Sequence, residues 1–600
     1  EGVLIFSGAG RDFLLGRLEV LNAARHAAKR GDGLREKKLL AQQMALMSRQ
    51  PEFRSDIYLY QPEAGWKCVG QWPGPGVVTT RAVAWRGGVV IPTGETRPGV
   101  RTPKVRFAPR VARVVAPRPN IVLIMLDDMG YSDIGCYGGE VKTPNLDMLA
   151  EGGLRFTQFY NCAKCSQTRA TLLTGNYDQA VSVNDMRYGA TFAEVLRPIG
   201  YRTLIAGKWH QKPLPMTRGF DRYYGLADGC SNYFNPGTEA RAGEGKPGRK
   251  KSAKRRWAIE NKAIMGYTNP DKAFYTTDAF TTYAIERLEE YKDENKPFLL
   301  YLPYTAPHYP LHAWPKDIAK YRGKFKVGWD VIRRQRYERM VKMGIIDKAH
   351  GLSPREKGVK PWDSLSDAQK DAEDLKMAVY CAMIDRVDQN LGRVFGKVKE
   401  LKEWDNTLIL FLADNGGCPE QPNTTPNIPP GPVEGYRTIS VGWANASNTP
   451  YRKFKSTDYE GGACTPFIAH WPGVIKPGIS RQVGHIIDIN PTFMDITGAS
   501  YPAVINGTKT KPVAGKSLLP IFQGSTRPPH PELYWQFGSA KAIRQGDWKL
   551  VRQGGAPWEL YNLKDDKTEL NDLADKLPEK SQELRRLWEA WFVSHGGKVK

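Results

Sequence analysis

Cysteine, acidic side chains and long apolar runs are all scarce in this sequence, and each scarcity removes a class of protein. Eight cysteines in 600 residues (68, 136, 162, 165, 230, 381, 418 and 464) are too dilute for a disulfide-stapled scaffold. Their spacing reveals no pairing. Cys162 and Cys165 read as a C-x-x-C redox pair, but core or loop cysteines explain them equally well. The longest apolar runs, such as 121–126 and 407–412, are strand-sized and far short of the ~20 residues that span a bilayer, so no transmembrane segment is expected. Asp and Glu number 63 against 87 Lys and Arg, a formal charge of +24. That balance favours a nucleic acid, an anionic membrane or a sulfated polysaccharide as partner. Neither a zinc-finger spacing nor an aromatic base-stacking signature is present, so no nucleic acid is expected. No basic-then-apolar leader follows Glu1, which leaves a cleaved signal, a trimmed chain and a cytoplasmic protein open.

What is there is an ordinary loop-rich globular composition, 41% hydrophobic and 25% charged with 59 glycines and 43 prolines. Six hundred residues exceed the roughly 250–300 at which single cores stop growing, so more than one domain is expected. Residues 1–117 read as short strands around a helical insertion at 15–48. The chain then passes through Ala116-Pro117-Arg118-Pro119 into a different texture. The run 120–126 is continuously apolar, the pattern of a strand covered on both faces. Met377, Cys381, Ile384, Val387, Leu391 and Phe395 recur at helical spacing and lead into a second buried strand at 407–412. Strands alternating with helices predict an α/β fold with a mostly parallel sheet, whose ligands sit beyond the carboxyl ends of the strands. After about 528, short antiparallel strands and a closing helix at 581–593 predict a smaller subdomain. The boundaries expected are therefore 1–117, 118–527 and 528–600. Residues 241–260 carry eight Lys or Arg against two Glu and read as a solvated insertion, the first place to seek contacts with an anionic polymer.

Both buried strands end in oxygen donors, Asp127-Asp128 and Asp414-Asn415. Adjacent carboxylates repel unless a cation or basic groups compensate, and four such donors suit calcium or magnesium. The other reading of either pair alone is a turn. Cys165 and Arg169 stand four apart at a predicted helix start, where they share a face and where free N–H groups attract anions. Lys208 and His210 follow another predicted strand and, in an extended chain, point to one side. His308 lies between two prolines after the strand-like 298–302. With nine histidines in the chain, two after strands draw notice, whereas Lys455 alone is an ordinary surface lysine.

In this order the motifs resemble the formylglycine-dependent sulfatases of the arylsulfatase type. The landmarks are Asp127-Asp128, Cys165-x-x-x-Arg169-x-x-Leu172-Leu173-Thr174-Gly175, Gly207-Lys208-Trp209-His210, Ala306-Pro307-His308, Ala413-Asp414-Asn415-Gly416, Asn448-Thr449-Pro450 and Glu460-Gly461-Gly462. Gly546-Asp547-Trp548-Lys549 continues the series, and the likeness runs from about 119 to 591. It implies an alkaline-phosphatase-like sheet flanked by helices and the hydrolysis of sulfate esters. It also implies oxidation of Cys165 to Cα-formylglycine by a formylglycine-generating maturation enzyme, the hydrated aldehyde then attacking sulfur. Asp127, Asp128, Asp414 and Asn415 would hold a divalent cation, most often calcium, with magnesium the alternative. Arg169, Lys208 and His210 would brace the hydrated aldehyde, and His308 and Lys455 would meet the sulfate and the bridging oxygen. A periplasmic or secreted location follows from the same resemblance. The charge makes a sulfated glycan the expected substrate.

Two positions depart from the family pattern. Gln167 stands where the maturation motif usually has proline, and Asn176-Tyr177-Asp178-Gln179 replaces a basic Tyr-Pro-His stretch. A phosphodiester or phosphonate monoester hydrolase of the same superfamily would look nearly identical in sequence, and a non-catalytic binder of sulfated polysaccharide is the rival outside catalysis. Separately, residues 94–103 resemble kelch-like proteins of the sialic-acid mutarotase type, too little of the chain for a full propeller.

Overall fold

The computed structural model describes residues 118–250 and 254–598. Within 1–117 it describes the helix Gly33–Arg49, most of residues 20–32 leading to it, and eight short strands. The chain divides into two compact units, Glu1–Pro117 and Arg118–Lys600. In the first, Val3–Phe6, Asp56–Gln61 and Gly65–Gln71 form an antiparallel sheet, as do Val83–Trp85, Gly88–Ile91 and Arg106–Pro109. Gly94–Arg97 and Val100–Thr102 pair as a hairpin. The side chains of these strands, and the turn prolines of the kelch-like stretch, lie outside the described residues.

The second unit is organised by an 11-stranded sheet. Its middle holds Arg222–Leu226, Arg202–Ala206, Phe298–Pro307, Asn120–Asp127 and Thr407–Ala413, all parallel. Every residue of Asn120–Asp127, Phe298–Pro307 and Thr407–Ala413 is buried, which is why these strands read as unbroken apolar runs. Beyond Thr407–Ala413 come Cys464–His470, antiparallel to it, and Leu154–Tyr160, antiparallel in turn. At the other edge, Arg256–Ile259 and Lys262–Met265 add an antiparallel hairpin. Helices cover both faces, the longest being Asp367–Glu400, whose Ser366 and Gln369 close a capping box. This is the alkaline-phosphatase-like α/β architecture, a mixed and mostly parallel sheet between helical layers.

The stretch read as a solvated insertion is partly structural. Arg241 is buried and ion-paired with Glu244 at 2.6 Å. Arg256–Ile259 is a sheet strand, with Trp257 buried and Arg256 donating to the Gln211 and Lys212 carbonyls. Its basic side chains misled because two of them, Arg241 and Arg256, serve the backbone around them. Residues 251–253 lie outside those described.

Four strands from Leu533 to Asn562 form an antiparallel sheet packed by the helix Pro578–Ser594. The sheet meets the rest of the unit through buried polar contacts. Lys549 Nζ lies 2.7 Å from Glu460 and 2.9 Å from Glu569, Tyr160 donates to Glu460 at 2.8 Å, and Trp535 Nε1 donates to the Asn161 carbonyl at 2.7 Å. Beside this junction Asp458 is buried with neither carboxylate oxygen bonded among the described residues. Burial pushes it from 3.8 up to about 7, with Lys549 opposing and Asp178 adding to the rise. A carboxyl raised on folding stabilises the fold fully only below its unfolded value, and that contribution fades as pH rises through the folded one. Asp458→Asn is therefore expected to raise the melting temperature at pH 8, by roughly 4 kcal/mol in stability. The gain should vanish toward pH 4; melts that differ equally at both pH values would overturn this reading.

Candidate active site

The register of the two central strands creates the site. Thr407 pairs with Asn120 and Ala413 with Leu126, so the strands end level and deliver Asp127-Asp128 and Asp414-Asn415 side by side. Asp128 turns the chain in a left-handed conformation (φ 65°) and its N–H donates to Asp414 Oδ1 at 3.2 Å. The Asn415 amide donates to Asp128 Oδ1 at 2.7 Å. Gly416 follows because there is no room for more: a Cβ there would lie 2.0 Å from the Gly461 carbonyl oxygen.

The helix Cys165–Thr174 begins over this cluster and ends at Gly175 in a left-handed C-cap. Thr168 fastens it: its hydroxyl donates to the Asp414 carbonyl at 2.7 Å and accepts from the Cys162 N–H at 3.0 Å. Arg169, fully buried one turn after Cys165, donates to Asp414 Oδ2 at 2.9 Å and to the Lys208 carbonyl at 2.8 Å. Cys165 and Cys162 are both free thiols, and Cys162 donates to Thr171 Oγ1 instead of approaching a C-x-x-C bond. All seven described cysteines are free.

Lys208 Nζ meets Asp127 Oδ2 at 2.5 Å, and Lys455 Nζ meets Asp128 Oδ1 at 2.6 Å and Oδ2 at 2.9 Å. His308 Nε2 lies 3.4 Å from Asp128 Oδ2 while its Nδ1 bonds the Tyr309 carbonyl at 2.6 Å. His210 takes a left-handed conformation (φ 61°), so the extended geometry expected for it beside Lys208 does not hold. It is only partly covered, and its Nδ1 has no partner among the described residues. The sequence-derived residues thus converge around one end of the sheet, with Lys455 wholly interior.

Three carboxylates and three cations share this buried volume. Burial opposes the charge on Asp128, yet His308, Lys455 and Lys208 hold it well below the usual carboxylate range. Burial and the neighbouring Asp127 push Asp414 upward, with Arg169 opposing. Burial likewise works against Lys208 and Lys455, and their carboxylates more than restore the charge. Burial raises the Cys165 thiol, with Lys208 and Lys455 only partly offsetting it, so an unmodified cysteine here stays protonated.

Asp127, Asp128 and His308 each present a ligand atom within 4.8 Å of the others, a buried cluster fit for a divalent cation. Asp127 Oδ1 and Asn415 Oδ1 are buried without partners among the described residues, the orphaned acceptors that a hard cation satisfies.

Reading the sequence missed the rim. Glu420 accepts from Tyr309 OH at 2.6 Å and from Lys164 Nζ at 3.0 Å, beside Cys165 in the chain and next to His308. Burial opposes its charge, but Lys455, Tyr309 and Lys164 hold its carboxyl below the ordinary value. Gln211 Nε2 donates to the Ser166 carbonyl at 2.9 Å, and Lys250 Nζ stands 5.8 Å from the Tyr309 ring. Only the proximity of these residues to recognised motifs could have flagged them.

A parallel sheet gathering carboxylates, lysines and a cysteine at its carboxyl ends defines an ester hydrolase of the alkaline-phosphatase-like class. The sulfatase family model matches residues 119–499, and a model described as N-sulphoglucosamine sulphohydrolase, C-terminal, matches 453–590. An uncharacterized sulfatase of Schizosaccharomyces pombe is 30% identical over 80% of this chain and 94% of its own. An N-acetylglucosamine-6-O-sulfatase of Bacteroides thetaiotaomicron is 28% identical over 79% of this chain and 86% of its own. The crystal structure of Ps i-CgsB in complex with k-i-k-neocarrahexaose superposes with a TM-score of 0.56 at 25% identity, covering 79% of this chain and 92% of that one. The chain belongs to the sulfatase family, and it is a sulfuric ester hydrolase.

Calcium or magnesium added to metal-stripped protein should raise its melting temperature, by about 2.7 kcal/mol in stability at 100-fold excess over Kd. Asp127→Asn should remove most of that shift. A wild-type melting curve indifferent to both ions would argue against the cation site.

Proposed function

We propose that this enzyme removes sulfate from a sulfated carbohydrate, using Cys165 after its oxidation to Cα-formylglycine by a maturation enzyme. One observation carries the reading: residue 165 opens a buried helix directly over the carboxylate–lysine–arginine cluster, where a protonated thiol is a poor nucleophile. Formylglycine supplies a hydrated aldehyde as an oxygen nucleophile in its place. Asp127, Asp128, Asp414 and Asn415 would hold a divalent cation, calcium by family resemblance, which would supply Lewis-acid polarisation of sulfate oxygens.

The chain's own groups do the rest. Arg169, held by Asp414 and the Lys208 carbonyl, fixes the side chain at 165 together with Lys208. Lys455 places an interior positive charge where sulfate oxygens gain charge in the transition state. His308 is oriented by its Nδ1–H, which donates to the Tyr309 carbonyl, and burial pushes the ring down to about 3, so it rests neutral. It hands an Nε2 proton to the departing alcohol only as the imidazolium that a bound sulfate anion would favour. His210, whose Nδ1 has no partner among the described residues, is the base that takes the proton when the aldehyde reforms. Support for a carbohydrate comes from the +24 charge and from relatives whose names specify N-acetylglucosamine or whose structure holds k-i-k-neocarrahexaose. A periplasmic or secreted setting fits such a substrate. Among the described residues no helix is long and apolar enough to cross a membrane.

With Cys165 conversion checked by peptide mass spectrometry, purified enzyme should release inorganic sulfate from sulfated oligosaccharides. His308→Ala should lower kcat/KM by about 10²–10⁴, and Cys165→Ala should abolish turnover. Fully converted enzyme acting on phosphonate monoesters or phosphodiesters but on no sulfate ester would establish the other hydrolase. Cys165 unconverted in every molecule from the native host, with glycan binding intact, would establish the binder.

A further inference from the structure

Away from the cluster at the strand ends, a cavity of about 500 Å³ opens where the catalytic layer meets the C-terminal sheet. Lys348 and His350 enter it from the segment after the helix Trp329–Lys342, and Arg481 from the sheet edge after Gly478–Ser480. Lys564 and Lys567 enter from the turn after the strand Glu559–Asn562. Two acids, Asp347 and Asp547, share the lining. Asp347 is engaged by its own turn, accepting from the Ala349 N–H at 2.9 Å.

The four lysines and arginines outnumber the two acids and have no ion-pair partner among the described residues. Among the described residues none lies within the 4.0 Å that defines an ion pair with a carboxylate, and Arg481 reaches only the Gly344 carbonyl, at 3.3 Å. Elsewhere on this molecule basic side chains are routinely paired, Arg336 with two carboxylates and Arg322 with two more. Lys567 is half-buried, and its burial, with Arg544 and Arg481 alongside, pushes it below the ordinary lysine value. Holding like charges together is unfavourable unless an anion joins them. The loops are nonetheless tied in place: Thr568 Oγ1 donates to the His350 carbonyl at 2.6 Å, and the Lys567 N–H donates to His350 Nδ1 at 3.4 Å.

We propose that this cavity is a second anion-binding site, one that takes a sulfated segment of a polysaccharide chain, and the proposal rests on the carbohydrate reading of the catalytic site. Its volume falls in the range of small-ligand pockets and suits one or two sugar rings. Apolar floor residues (Val341, Ile345, Leu563) offer surface to a sugar face, while four cations wait for sulfate oxygens. A nucleic acid is the poorer match, since the lining holds no Phe, Tyr or Trp on which a base could stack. A membrane surface is poorer still, because the cations line a concavity.

The test separates binding from turnover. Arg481→Gln with Lys564→Gln, both exposed positions, would be placed in the whole enzyme and, for binding, in a Cys165→Ala background that cannot consume its ligand. Binding of a dextran sulfate oligomer, measured by calorimetry at fixed salt, should weaken about tenfold, and Lys564→Glu should weaken it further. In the active enzyme KM for a sulfated polymer should rise while turnover of 4-nitrophenyl sulfate stays unchanged. Unaltered dextran sulfate binding would overturn the site, as would equal loss on polymer and small ester. A ribo-oligonucleotide of matched charge that binds as tightly, and is lost equally in the variants, would overturn the sulfated-sugar assignment. If the converted enzyme hydrolyses no sulfate ester, the catalytic reading fails on its own, and calorimetry still decides the cavity.

Discussion

Everything at the functional end of this molecule answers to one electrostatic constraint: Asp127, Asp128 and Asp414 are buried together at the ends of two adjacent strands. Like charges at such spacing in a water-poor interior are tolerable only with close compensation. Lys208, Lys455 and Arg169 each come from a different segment of chain to provide it. That requirement fixes where the helix Cys165–Thr174 starts, why Gly207-Lys208 must turn inward, and why the loop through Lys455 folds against the strand ends. A divalent cation added to this balanced set leaves the site positive, the condition for admitting a sulfate ester.

Scaffolding around the cluster is correspondingly tight. Gly416 lies against the Gly461 backbone with no space for a Cβ, and Gly207 (φ 141°) would place one 2.2 Å from the Pro303 carbonyl oxygen. The Glu-Gly-Gly turn is held from below by Lys549, so the C-terminal sheet supports the segment that carries Lys455. A contribution of this kind is positional: Lys549 touches no reacting group, yet removing it would strand Glu460 and Glu569 in the interior.

Outside the cluster the basic excess has separable uses. Some cations are absorbed by structure, as Arg241 and Arg256 are by neighbouring backbone and carboxylate. Others stand near the entrance, as Lys164 and Lys250 do beside Tyr309 and Glu420. A third group, ion-paired with no carboxylate among the described residues, converges on the cavity at the C-terminal sheet. Net charge alone could not distinguish these, because it counts side chains without their neighbours.

The sequence by itself determined the local elements and the chemical inventory. Unbroken apolar runs marked strands buried on both faces, the periodicity of 377–395 marked the long helix, and acidic pairs after two strands marked the end where a cation could bind. Family-ordered motifs named every residue of the cluster. Tertiary structure decided what those residues are to one another. Asp127 and Asp414 become neighbours only through the register of strands nearly 290 residues apart, and Lys455, plain in sequence, becomes interior because Asp128 requires a counterion. His210 departs from the extended chain, Arg256 joins the sheet, and Glu420 arrives at the rim from a loop without a motif. Pattern reports which face of a segment avoids water. Pairing, register and the partner of each buried charge depend on long-range packing, which no local spacing encodes.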